Sequence, residues 1–198
     1  HYAFPEMTMK KEDQIKHAAL TLFSQYGWLR TSVEDICRQA NISRVTFYKY
    51  FPNKKQLLQQ LFLEQKNDMK AGFEALLTEN SIEQIMRHIF TLQKQAMQTM
   101  YSAPMLIDLQ QHKDEELSRF FAAMEREKHQ FMHDFFRQLQ EKQLIQPQLP
   151  ILLIDLFIRK IDEIVKDPAV IEHYRNNEPQ LFRDVLSLFV YGLAQRTE

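Results

Sequence analysis

The sequence predicts an all-α protein, and three observations carry the prediction. Valines are few beside many Leu, Gln, Glu, Lys and Met, residue types that favour helix over strand. Apolar positions recur at three- and four-residue spacing through most of the chain. Breakers are sparse, three glycines and seven prolines in 198 residues, and most of them fall between the periodic stretches. No β-sheet is expected.

The opening His1–Glu6 lacks an initiator methionine and precedes Met7 and Met9, so it is read as a leftover of expression and set outside the fold. From about Lys11 to Tyr26, residues Ile15, Ala18, Ala19, Leu22 and Phe23 form one apolar stripe with a polar back, which predicts the first helix. Gly27 ends it as a left-handed cap, and Trp28 and Leu29 are expected to pack against the small core that follows.

Two short helices come next. Ser32 with Asp35 three residues later opens one, and Ser43 before Arg44-Val45-Thr46-Phe47-Tyr48 opens the other. Between them the chain turns within Ala40-Asn41-Ile42, and Asn is one of the few non-glycine residues that tolerates the left-handed conformation such a turn needs. That spells helix-turn-helix. Ile36, Ile42 and Phe47 are spaced to pin the pair together, leaving Arg44, Thr46, Tyr48 and Lys49 outward, types that suit a nucleic-acid surface. No acidic residue occurs from Ile36 through Leu63, while Arg38, Arg44, Lys49, Lys54 and Lys55 all fall in that window. Local basicity is what a phosphate backbone needs. Thr31 and Ser32 stand just before a helix, where hydroxyls and free N–H groups bind phosphate well; plain capping is the other reading, and both can hold.

At these residues the chain resembles a known family. Ala18-Ala19, Leu22-Phe23, Tyr26-Gly27, Thr31-Ser32-Val33, Ile36, Ile42-Ser43, Thr46-Phe47-Tyr48, Phe51 and Lys54 are similar to the N-terminal domain of the TetR (tetracycline-repressor) family, over about a quarter of the chain. Departures from the usual pattern are Cys37 for alanine, Asn41 for glycine, and Val45 where a small residue is common. The resemblance implies a three-helix helix-turn-helix DNA-binding domain, here residues 7–53, followed by a helical ligand-binding and dimerisation domain, residues 54–198. It implies DNA contacts from Thr31, Ser32, Ser43, Arg44, Val45, Thr46, Tyr48, Lys49 and Lys54. Lys54 would begin a helix beside the DNA-facing surface and add its ammonium to the N–H groups that hold a phosphate.

After the break at Tyr50-Phe51-Pro52-Asn53, Leu57, Leu58, Leu61, Phe62, Gln65, Met69 and Phe73 predict a helix from Lys54 to about Leu77, the mechanical link between domains. Gly72 within it is either a weak point or a close contact. Ser81 with Gln84 makes a capping box for a helix reaching about Tyr101, and Pro104 opens a short one. Asp114 to Gln140 is a long run with Leu117, Phe120, Phe121, Met124, Phe131, Phe135 and Leu139 inward. Pro147 and Pro150 interrupt before Ile151–Val165, which is apolar nearly all round its first three turns, and Asp167-Pro168 starts a short helix to about Arg175. Pro179 starts the last one, again apolar on two faces. Surplus apolar surface on two helices predicts a four-helix bundle between two copies, with Leu153, Phe157, Ile161, Leu186, Val190 and Leu193 in the interface and Gly192 allowing close approach. Phe and Met make adaptable apolar walls, and the resemblance implies a small-molecule effector pocket, placed near Met69, Phe73, Phe90, Gln93, Met97 and Met124.

Composition sets further bounds. Net charge is −1, yet residues 1–60 hold nine Lys/Arg against five Asp/Glu and residues 61–198 hold sixteen against twenty-one. The basic character is confined to the front. Cys37 is the only cysteine, so no intrachain disulfide can form, and no signal peptide or bilayer-spanning run is visible; a cytoplasmic home is expected. His129, His133 and Glu125 could share a helix face, but Gln130 stands where a metalloprotease needs glutamate. With no phosphate loop, paired-cysteine site or nucleophile elbow, neither an enzyme, a metal nor a cofactor is expected. The reading is a homodimeric regulator, most simply a repressor, on a palindromic double-stranded DNA operator, released by a small apolar effector. The rival is a helical protein-binding adaptor without sequence-specific DNA binding.

Overall fold

The computed structural model describes residues 9–175, 177, 180, 181, 183–185 and 187, and at residues 83, 86, 90, 93, 94, 97, 155, 158, 162 and 166 it describes the backbone alone. His1–Glu6, Leu186, Val190, Gly192, Leu193 and most of the final helix expected from Pro179 lie outside the described residues. Among the described residues there is no strand. The helices are α1 Lys11–Tyr26, α2 Val33–Gln39, α3 Arg44–Tyr50, α4 Lys54–Leu76, α5 Ile82–Met97, α6 Ala103–Gln111, α7 Glu115–Glu141, α8 Ile151–Lys166 and α9 Pro168–His173.

Among the described residues, two large cores hold the helices together. Ile15, Ala18, Ala19 and Phe23 of α1 meet Trp28, Ile36, Phe47 and Phe51, and α4 closes this first core with Leu57, Leu58, Leu61 and Phe62. Met100, Met105 and Leu117 enter it from the later part of the chain. The second core joins Phe73 and Leu76 of α4 to Ile85 and Ile89, to Phe135, Phe136 and Leu139 of α7, and to Ile145 and Ile154. α4 therefore runs through both, about 22 Å separating Leu58 from Phe73 at a helical rise of 1.5 Å per residue. Ion pairs fix its flanks: Lys16 to Glu64 at 2.7 Å, Lys55 to Asp114 at 3.1 Å and Lys66 to Glu127 at 2.7 Å. Packing of the first core thus continues past residue 53, along α4 to Phe62 and into Met100, Met105 and Leu117.

Local differences from the sequence reading have local causes. α5 stops at Met97, because the chain turns back with Tyr101 N–H donating to Ala96 O at 3.0 Å. That turn delivers Met100 to the first core and lets Pro104 occupy the first turn of α6, where its missing N–H is not needed. At Gly72 a Cβ would lie 3.0 Å from Leu92 Cδ1, so the glycine marks a close approach of α4 to α5. Leu29 does not join the core with Trp28; its side chain is exposed while its N–H turns inward to Asp108.

Candidate nucleic-acid interface

The interface begins with two capped helix starts. Ser32 Oγ accepts from Asp35 N–H at 3.1 Å while the Asp35 carboxylate accepts from Ser32 N–H at 3.0 Å, the reciprocal box expected from the sequence. The Ser32 hydroxyl also donates to that carboxylate, and together these bonds hold the Asp35 carboxyl below the usual aspartate range. Asn41 takes the left-handed turn with φ of 52°, and Ile42 N–H donates back to Cys37 O at 3.0 Å. Ser43 then starts α3, its Oγ accepting from Thr46 N–H at 3.1 Å and lying 3.0 Å from the Thr46 hydroxyl.

Phe47 fixes which way α3 faces. It is fully buried, so at about 100° per residue Val45 points to the opposite side and Lys49 follows it one turn later. Val45 is 68% exposed and Tyr48 45%. The Tyr48 ring packs edge-on against Phe47 with centroids 5.3 Å apart, which holds it at the rim of the exposed face. Arg44 lies beside it, its guanidinium carbon 5.9 Å from the Tyr48 ring centroid, and forms an ion pair with Glu34 of α2. The basic window therefore does carry a neighbouring carboxylate, delivered by the turn between the helices; a stretch of sequence free of acids gave no sign of it.

Thr31 and Lys54 are placed differently from the sequence reading. Thr31 is 3% exposed and donates its hydroxyl to Gly27 O at 2.7 Å. The Lys54 ammonium donates to Trp28 O at 2.5 Å and Thr31 O at 2.6 Å and sits 5.2 Å from the Trp28 ring centroid. Burial pushes its pKa down, against the pull of Asp108 and Asp35. Two of its three donors are spent on the loop between α1 and α2, because that loop's carbonyls converge over the start of α4. Lys54 acts as a clasp on the loop that leads into α2. Ser43, Arg44, Val45, Tyr48 and Lys49 are exposed, and Ser32 and Thr46 are half-buried.

Asp108 had no signal in the sequence. Its carboxylate is buried, accepts from Leu29 N–H at 2.9 Å and fills the space a Cβ on Gly27 would need. It ties α6 to the same loop that Lys54 clasps. An open cleft lies alongside, lined by Leu22, Tyr26, Arg30, Arg38, Pro104 and Arg175 among others. Met69, Phe73 and Met124 do not line it: Met124 packs on the first core, Met69 and Phe73 belong to the second, and Phe90, Gln93 and Met97 are described by backbone alone. On α7, His129 Nε2 lies 3.8 Å from Glu125 and His133 Nδ1 3.4 Å from Asp134, and among the described residues no three potential metal ligands gather.

Residues 15–61 match the family model of bacterial regulatory proteins of the tetR family. The HTH-type transcriptional regulator YuxN of Bacillus subtilis is 47% identical over 49 residues, 25% of this chain and 17% of that protein. The chain spans only 17% and 34% of the first two curated relatives it matches. Over nearly the whole length the fold is similar to that of the fatty acid degradation regulator FadR of Bacillus halodurans, with a TM-score of 0.71 at 20% identity, covering 96% of this chain and all of that one. FadR of Bacillus subtilis, solved in complex with stearoyl-CoA, gives a TM-score of 0.67 at 20% identity over 91% of this chain and 98% of that one. The matched segment coincides with the capped helix pair and its supporting core, so residues 15–61 are similar to the DNA-binding segment of bacterial regulatory proteins of the tetR family.

Proposed function

We propose that the protein is a homodimeric repressor that binds a palindromic DNA operator in the bacterial cytoplasm, one α3 per major-groove half-site, and leaves it when a small apolar effector binds within residues 54–198. The observation that carries this reading is the sidedness of α3: Phe47 is buried, while Arg44, Val45, Tyr48 and Lys49 are exposed together. A helix with one anchored face and one cationic, hydrogen-bonding face suits a groove. Residues 7–53 carry the DNA contacts and 54–198 the effector and dimer functions, with α4 shared by both cores. Leu153 and Phe157, exposed on α8 beside Leu152 and Leu156, support pairing with a second copy; Ile161 packs instead on the second core. The effector class is apolar, in keeping with the Phe and Met of α4 and α7 and with the stearoyl chain of the stearoyl-CoA in complex with the B. subtilis FadR. Coupling between the two sites of about 1–3 kcal/mol would be ordinary.

Selection of bound DNA from a random pool by the purified chain tests the reading. A palindrome, with affinity that falls steeply between about 50 and 200 mM salt, is the expected result. Sequence-independent or absent binding overturns it. The dimer is tested separately by Leu153→Glu, which should halve the mass seen by light scattering.

A further inference from the structure

Val45 is the most exposed large hydrophobic among the described residues. It is 68% exposed and stands in the first turn of a seven-residue helix. A β-branched side chain lowers helix propensity, so an alanine or lysine there would suit the isolated helix better. Around it are groups that hydrogen-bond or carry charge: Arg44, Thr46, Tyr48 and Lys49. One isopropyl group stands alone at the centre of an otherwise polar face.

From this placement we infer that Val45 is a specificity residue, and that it reads the C5-methyl of a thymine. The inference rests on the proposed docking of α3 in the major groove and deepens it. On the floor of that groove each base pair presents donors and acceptors, and the thymine C5-methyl is the apolar group among them. A branched apolar side chain facing that floor gains by contact with a methyl and loses by covering an unpaired donor or acceptor, since neither of its methyls can replace water's hydrogen bonds. The same two effects favour an A·T pair with its thymine beneath Val45 and disfavour cytosine, whose exocyclic amine would be stripped of water. Two-fold pairing of the protein would place such a thymine once in each half-site, at mirrored positions.

The experiment uses the full chain. Operators are selected from a random pool by the wild type and by Val45→Ala, which removes the two methyls from an exposed site and improves helix propensity, so the fold is retained. The position at which the wild type demands thymine and the variant relaxes is then rebuilt with deoxyuridine, which lacks only the C5-methyl. Wild type should lose roughly fourfold in affinity for each half-site rebuilt with deoxyuridine, the equivalent of one buried methyl-sized group, while Val45→Ala binds both operators alike. If wild type binds the deoxyuridine operator as well as the thymine one, or both proteins select the same base everywhere, the inference is overturned while the DNA-binding reading stands. If neither selects any sequence, the docking reading fails first and takes the inference with it.

Discussion

The Glu34 carboxylate and the Arg44 guanidinium form an ion pair across the turn that joins α2 to α3. Both ends are exposed, so the pair adds little to stability, typically about 0–1 kcal/mol. Its effect is on charge: it sets one acid beside the guanidinium at the start of α3. Glu34→Gln should leave the thermal midpoint nearly unchanged and raise affinity for random-sequence DNA severalfold, because a carboxylate that repels the phosphates is removed from beside the DNA-facing helix. Equal affinities for the two proteins would place the Glu34 charge too far from the DNA to be felt.

On the proposed docking of α3, position along the helix should separate base contacts from phosphate contacts. Arg44→Ala and Thr46→Ala should change which base pairs are preferred, while Tyr48→Phe, which removes a hydroxyl from the rim of the face, should weaken binding to all DNA alike. Binding-site selection with the three variants checks this, and a uniform loss for all three would remove Arg44 and Thr46 from base reading.

The clasp made by Lys54 leads to a different outcome from a phosphate contact. Lys54→Met keeps most of the stem over Trp28 but orphans the carbonyls of Trp28 and Thr31, so about 1–2 kcal/mol of stability should go, after allowing for the solvent that reaches the site. DNA affinity should drop with the salt slope unchanged. A slope shallower by about 0.9 with an unshifted thermal midpoint would instead assign Lys54 to a phosphate.

Elements whose cause is local were legible in the sequence. Ser32 with Asp35, Ser43, Asn41 and Asp114 each act within three or four residues, and each does in the structure what its residue type prescribes. The apolar spacing around Ile15, Phe23, Phe47 and Leu57 likewise placed the first core. What could not be read were relationships made by tertiary proximity. Glu34 meets Arg44 ten residues on, Lys54 reaches back to Trp28, and Asp108 arrives from a helix 79 residues after Leu29. Periodicity says which face of a helix is wet, and Thr31 shows its limit, since the loop that carries it folds the hydroxyl inward.

Acid should loosen two helix starts. The Asp35 carboxyl is held low by the Ser32 hydroxyl and N–H, and the Asp114 carboxyl by the Leu117 N–H and then by Lys55. For a carboxyl whose folded pKa is depressed, the contribution to stability is present above the unfolded value and is lost as pH falls through the folded one. Loss should therefore begin near the ordinary value of 3.8 and continue below it. Thermal unfolding followed from pH 6 downward should show the midpoint falling through that window. In Asp35→Asn with Asp114→Asn, which retain capping ability but cannot titrate, the fall should be shallower. Equal slopes for the two proteins would assign the acid sensitivity to other carboxyls.

Gly27 is required for two separable reasons, and a pair of substitutions can tell them apart. Its φ of +86° is one that a side chain disfavours, and a Cβ there would fall on the Asp108 carboxylate. Gly27→Ala should therefore cost more than the strain alone, about 2–4 kcal/mol in all. Asp108→Ala alone should cost about 1–3 kcal/mol, because Leu29 N–H loses its buried partner. In the double variant the collision disappears while the strain and the orphaned N–H remain. The combined loss should then be smaller than the sum of the single losses by roughly 1 kcal/mol or more, since the residues are in contact. Chemical denaturation of the four proteins measures the difference. Strict additivity would mean that the carboxylate moves aside without cost, and that α6 is not held to the loop before α2 at this point.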